Sequence, residues 1–219
     1  MLKDKKNKWS EEELVSFKSR WRAVTIPINI KIDTQQTALL LENVIQIIEL
    51  TEKIAVTDCI CRTKLNNCDY PLKVCLSLGK NAIKSVSDGT AEFISKNEAK
   101  NIVIETHEKG LVHLALHRPD DDEKNIQAIC SCCSCCCHAL QGLLLMNMKG
   151  LVKSSEFIAI QDQEICIDCG ECVDRCQFDA RILDNKDRMI FNPNLCFGCG
   201  LCVSSCAQNA IEMIKRPLN

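Results

Sequence analysis

The chain has 219 residues, 46% of them apolar, which is enough for one large or two modest domains around a buried core. A formal net charge of −2 argues against the clustered Lys and Arg that bind polyanions, so nucleic acid is not an expected partner. The longest apolar run, Leu143 to Met148, falls far short of the roughly 20 residues of a membrane span, and the charged start Met1-Leu2-Lys3-Asp4-Lys5-Lys6 leads into no apolar signal core, so a cytoplasmic location is expected.

Against 6 Phe, 2 Trp and 1 Tyr stand 18 cysteines. In a reducing compartment that many read as thiolate ligands rather than as a disulfide framework, and bound metal would cross-link segments with a modest aromatic core.

In chain order, Ser10 with Glu13 forms a capping box that opens a short helix toward Arg20, and Asp33 with Gln36 opens a longer one toward Lys53. Along the second, Leu41, Val44, Ile45 and Ile48 keep helical spacing. Ile54-Ala55-Val56-Thr57 reads as a strand delivering Cys59 and Cys61. Pro71 suits the first turn of a helix that carries Cys75 and stops at Gly79. Ser95 with Glu98 caps a helix that closes at Gly110. Leu111 to Leu116 and Ile126 to Ile129 then pair as a hairpin across the polar turn Arg118-Pro119-Asp120-Asp121-Asp122, giving the outline of a winged-helix unit. A last helix runs from about His138 to Met148. Gly150 marks the expected boundary between a Cys-rich domain, residues 1–150, and a smaller domain, residues 151–219. The expected fold class is α+β, mainly helical in its first part.

The cysteines form three groups: Cys59, Cys61, Cys68 and Cys75; then Cys130, Cys132, Cys133, Cys135, Cys136 and Cys137; then eight from Cys166 to Cys206. Only the last group is periodic. Ile165 to Arg181 matches Leu195 to Ile211 at an offset of 30, which aligns Cys166 with Cys196, Cys169 with Cys199, Cys172 with Cys202 and Cys176 with Cys206. Each half places three cysteines in seven residues and a fourth just beyond, the bacterial ferredoxin spacing in which the fourth cysteine ligates the other cluster. The expected ligand sets are Cys166, Cys169, Cys172 with Cys206, and Cys196, Cys199, Cys202 with Cys176. Zinc knuckles would instead use two pairs held apart by a longer spacer. Gly170 and Gly200 allow loop conformations that a side chain would resist.

On these motifs the last seventy residues resemble the two-[4Fe–4S] bacterial-type ferredoxins. That resemblance implies two pseudo-symmetric halves, each a hairpin and a short helix, that pass single electrons to or from a redox partner without substrate chemistry. Where that family has proline after the fourth cysteine, this chain has Gln177 and Ala207. The whole chain resembles uncharacterised anaerobic dicluster ferredoxin-like proteins with a Cys-rich N-terminal module.

For the first ten cysteines, three readings stand: one or two further iron–sulfur clusters, zinc or another metal, or thiols that are redox-active or merely buried. Adjacent cysteines project in different directions, so Cys132 with Cys133, and the run Cys135-Cys136-Cys137, are not expected on one cubane. Cys59, Cys61, Cys68 and Cys75 are the expected single set. His138 beside Cys137 is a ligand candidate whose ordinary reading is a cap or surface residue. His107 and His113 read as structural, and His117 as solvent-facing. No glycine-rich nucleotide loop supports a flavin or nicotinamide site.

The leading expectation is an electron-transfer protein serving a redox protein or oxidoreductase. Alternatives are a thiol–disulfide-type reductase with a special N-terminal cluster, or a redox-responsive regulator. Against the regulator, Glu98, Glu105 and Glu108 opposite Lys100 and Lys109 make a poor face for a DNA groove.

Overall fold

The computed structural model describes residues 7–26, 44–118, 126–148 and 150–217. Helix α1 (Glu11–Arg20) starts at the Ser10/Glu13 capping box, with three glutamates in its first turn and basic residues in its last, as the helix dipole favours. Strand β1 (Arg22–Thr25) follows. Helix α2 (Val44–Leu50) buries Val44, Ile47 and Ile48 and stops before Lys53, because the next strand begins at Ile54; its expected start at Asp33 and Gln36, and Leu41, lie outside the described residues.

Next come β2 (Ile54–Asp58), α3 (Ile60–Leu65), β3 (Lys73–Leu78), α4 (Gly79–Ser87), β4 (Glu92–Ile94) and α5 (Lys96–Glu108), the last opened by the Ser95/Glu98 box. Then β5 (Val112–His117), β6 (Ala128–Cys132), α6 (His138–Met146) and β7 (Val152–Lys153) complete this part.

These strands form one seven-stranded sheet in the order β4-β2-β3-β6-β5-β1-β7. The helices of the first part of the chain are thus gathered on one mixed sheet that the sequence did not announce. The largest departure is β3, where a helix was expected from Pro71. The backbone instead runs extended, pairing Ile54 with Leu78 through Thr57 with Cys75 on one side and Leu76 with Ile129 on the other. Proline fits the approach to a strand as well as a helical first turn, and a strand buried on both faces shows no helical period. Gly79, at φ +55°, turns the chain into α4 rather than ending a helix. The β5/β6 hairpin is present, with Val112 opposite Cys132 and Leu116 opposite Ala128. It is no wing, because β6 also pairs with β3 and β5 with β1, which places both strands inside the sheet. The turn residues Pro119 to Asp122 lie outside the described residues.

Strand alternation divides the sheet's two faces. Ile54, Val56, Leu76, Leu78, Ala115 and Ile129 pack with Val44, Ile47 and Ile48 of α2 and Ala99 and Val103 of α5. Val112, Leu114, Cys130 and Cys132 face the other way, toward Ala139 and Leu140 of α6. The same alternation puts Cys75 on this second face.

Beyond β7 lie β8 (Phe157–Gln161), α7 (Glu171–Asp174), β9 (Arg181–Leu183), β10 (Met189–Phe191), α8 (Leu201–Ser205) and β11 (Ile211–Lys215). β9 and β10 form a hairpin, whereas β8 pairs with β11 from the far end of the segment, Phe157 opposite Lys215. The two ends are tied together, so the halves do not each keep a private hairpin. No helix among the described residues is long and apolar enough to cross a membrane.

Candidate metal centres

In the C-terminal part the eight cysteines line two cavities. One is bounded by Cys166, Cys169, Cys172 and Cys206, and the other by Cys176, Cys196, Cys199 and Cys202. The repeated glycines enter α7 and α8 at φ +79°, a left-handed conformation costly for other residues, and so turn each loop around its cavity. Backbone N–H groups point at sulfur: Asp168 toward Cys166 Sγ at 3.5 Å and Ala210 toward Cys206 Sγ at 3.3 Å. Asp168 also accepts from the Met189 N–H at 2.8 Å, fastening the first loop to β10.

Sequence reasoning missed Arg181. It is 2% exposed, and donates to the Ala159 carbonyl at 2.9 Å and to Gln161 Oε1 at 2.8 Å. The guanidinium charge also acts on both Cys172 and Cys202, one from each cavity. Burial raises both thiols, Cys202 to about 11, and Arg181 opposes this in each case. A cation between two sets of thiolates offsets their mutual repulsion.

The first ten cysteines separate into four and six. Cys68, Cys133, Cys135 and Cys136 bring all four Sγ atoms within 4.8 Å of one another, with Cys68 Sγ 3.8 Å from Cys133 Sγ and 3.7 Å from Cys136 Sγ. The expected set of Cys59, Cys61, Cys68 and Cys75 is not the one that converges. Cys68 lies beyond the α3 turn, where Asn66 at φ +46° sends the chain away from Cys59 and Cys61.

The other six make a closed ring of thiol contacts, running Cys59, Cys61, Cys137, Cys132, Cys130, Cys75 and back to Cys59. Acidity alternates around it. Cys59 is lowered to about 3, Cys137 to about 5, and Cys130 well below its ordinary range, each by accepting hydrogen bonds from both neighbours. Cys61, Cys132 and Cys75 are raised as the matching donors. Neighbours around the ring are thus pushed in opposite directions. It borders a cavity of 680 Å³ whose wall also includes Trp9, Phe17, Trp21, Leu114 and Leu116.

Arg62, 1% exposed, stands between the ring and the four-thiol group. It donates to the Pro71 and Ser131 carbonyls and to Cys133, and its charge acts on Cys59 and Cys132 as well. A buried guanidinium demands compensating negative charge, and thiolates of both groups supply it.

The histidines stay outside both groups. His138 stacks on Trp9 with ring centroids 3.6 Å apart, and burial lowers its pKa. His107 and His113 are buried, and His117, expected at the surface, is only 5% exposed with Nδ1 beside the Arg118 carbonyl.

The two parts of the chain meet at these centres. Cys176, Cys199, Phe178, Phe197 and Leu201 pack in one apolar cluster with Cys130, Cys132 and Cys137. Phe178 and Phe197 stack at 4.5 Å. Arg175 donates to the Glu108 carbonyl at 2.6 Å and the His107 carbonyl at 2.9 Å. Gln177, next to Cys176, donates through Nε2 to the Gly110 carbonyl at 3.1 Å and accepts the Ser134 N–H at 3.0 Å. Ser134 lies between Cys133 and Cys135, so the residue that replaces the customary proline joins a C-terminal thiol loop to the four-thiol group.

No curated protein and no solved structure matches the chain. Residues 165–211, which carry all eight cysteines of the two C-terminal cavities, match the family described as the 4Fe-4S dicluster domain, so the chain has a C-terminal ferredoxin-like domain of the iron–sulfur, electron-transferring kind.

Proposed function

We propose that residues 151–219 relay single electrons to or from a redox partner, seated against the thiol-rich first part of the chain. One [4Fe–4S] cluster would be held by Cys166, Cys169, Cys172 and Cys206, the other by Cys196, Cys199, Cys202 and Cys176. The donor chemistry fits: four thiols border each cavity, and N–H groups point at sulfur beside Cys166 and Cys206. When bound, such clusters supply reversible one-electron capacity.

The chain's own residues do the rest. Phe178 and Phe197 keep water from the second cavity, Arg181 counters charge between the two, and Gln177 with Arg175 fixes the distance to the first part of the chain. Cys169 is exposed, and the segment that carries it exposes Asp162, Glu164 and Glu171 together with Ile165 and Ile167. This exposed acidic segment suits a partner with a basic docking face. The single observation that carries the reading is the shared packing of Cys176 and Cys199 with Cys130, Cys132 and Cys137.

The test is anaerobic iron and sulfide quantification with EPR on the full chain during reductive titration. Eight irons in the C-terminal sets and reversible reduction without turnover are expected. Cys176→Ser and Cys206→Ser should each perturb the cluster of the opposite half. Fewer than eight irons, or no reducible signal, would sink the relay.

The 680 Å³ cavity bordered by the six-thiol ring, in which the acidity of Cys59 and Cys137 is raised by their neighbours, favours a second reading, a reductase acting on a small disulfide at the ring. Reoxidation of the reduced chain by a low-molecular-weight disulfide, abolished by Cys59→Ser, would select it.

A further inference from the structure

We infer that Cys68, Cys133, Cys135 and Cys136 bind one zinc ion in a closed tetrahedral site, separate from the redox centres. Distance decides the nuclearity. A single zinc holds thiolates at about 2.3 Å, which puts neighbouring sulfurs roughly 3.8 Å apart. Cys68 Sγ stands 3.8 Å and 3.7 Å from two of its partners, and no pair in the group exceeds 4.8 Å. A cubane distributes its thiolates over four separate irons and spreads them to about 6 Å, wider than this group allows.

Three of the four ligands are shielded. Cys133, Cys135 and Cys136 are buried, in an apolar cluster with Trp9, Leu14, Leu65 and Leu111, while Cys68 is half-buried and, with Cys133 and Cys135, also borders an open cavity beside Asp69 and Tyr70. The Asn67 N–H points at Cys136 Sγ. Side-chain amides of Asn67 and Gln141 each hold the Cys135 carbonyl at 2.8 Å, and the Trp9 indole N–H holds the Cys136 carbonyl at 2.9 Å. Outer contacts of this kind orient ligands before metal arrives. Four thiolates around a dication leave a net charge of −2, and Arg62, bonded to Cys133, offsets part of it. Between divalent ions that accept four sulfurs, zinc binds more tightly than ferrous iron.

The ion would fasten the turn after α3 to the turn after β6, fixing Ser134 where Gln177 meets it. Its failure would leave the C-terminal relay standing, because the two use different cysteines.

The test uses the full chain purified anaerobically. Metal analysis should find one zinc per chain, and X-ray absorption at the zinc edge should show four sulfurs at about 2.3 Å and no neighbouring iron. Cys68→Ser should lower zinc occupancy at least tenfold after mild chelation, while C-terminal iron is retained and Cys59→Ser keeps its zinc. Absence of zinc, an oxygen- or nitrogen-rich shell, iron at these four sulfurs, or full zinc occupancy in Cys68→Ser would each overturn the assignment. If Cys68→Ser does not fold, the absorption spectrum of the unaltered protein decides alone.

Discussion

Gln177→Leu keeps the volume of the side chain and removes both of its hydrogen bonds. The lost partners are the Gly110 carbonyl at 3.1 Å and the Ser134 N–H at 3.0 Å, each partly buried. A hydrogen bond contributes about 1 kcal/mol net, and leaving a buried partner unsatisfied costs about 1–3 kcal/mol. Two such losses, relieved by some water, come to about 2 kcal/mol against docking of the two parts, or roughly a thirtyfold rise in local opening. Native-state hydrogen exchange reads this directly at the Ser134 amide. The Met189 amide, bonded to Asp168 within the C-terminal part, is the internal control and should not change. Gln177→Glu keeps the acceptor for Ser134 but sets a carboxylate against the Gly110 carbonyl, so it should fall between. Unchanged protection at Ser134 in Gln177→Leu would refute the bridge, and equal acceleration at Met189 would show general destabilisation instead.

Arg181→Met removes the cation shared by Cys172 and Cys202. Both C-terminal potentials should move to more negative values, because the reduced state carries the extra negative charge; redox titration followed by EPR checks this, and unmoved potentials would dismiss Arg181 as a charge compensator. Acid should also loosen the fold through His107 and His113. Burial lowers them to about 4 and about 3, with Arg175 acting further on His107 and His107 on His113. Both are neutral when folded at pH 7, and an unfolded histidine takes its proton near pH 6.5. Stability is therefore complete above that value and is lost as pH falls toward 4, by about 1.4 kcal/mol per pH unit per histidine. Anaerobic urea unfolding at several pH values should show this slope, and His107→Gln should reduce it by about half; a flat profile between pH 6.5 and 5 would contradict the buried neutral assignment.

Strong local signals in the sequence agree with the structure. The serine–glutamate boxes at Ser10 and Ser95, the strand at Ile54 and the hairpin from Val112 to Cys132 all depend on residues close in sequence. The sheet was hidden because its central pairing, β3 with β6, links segments about fifty residues apart, and β3 carries apolar residues on both faces. The thiol grouping was hidden for a related reason. Cys68 meets Cys133 across 65 residues, and spacing alone cannot say that the turn at Ser134 sends Cys132 and Cys133 to different centres. The C-terminal eight were legible because a thirty-residue repeat encodes them. Arg62 and Arg181 left a faint trace, each a lone arginine beside a cysteine or an aliphatic run, and only burial gave them meaning. Gln177 is marked in the sequence only by standing where proline is customary, and its contacts give that departure a structural reason.

The stretch from Cys130 to Cys137 serves two groups at once. Three of its cysteines, Cys130, Cys132 and Cys137, turn to the ring, while Cys133, Cys135 and Cys136 turn to the four-thiol group, in one eight-residue segment. Inserting or deleting a residue there would throw both groups out of register together, so the length of this segment answers to two constraints rather than one.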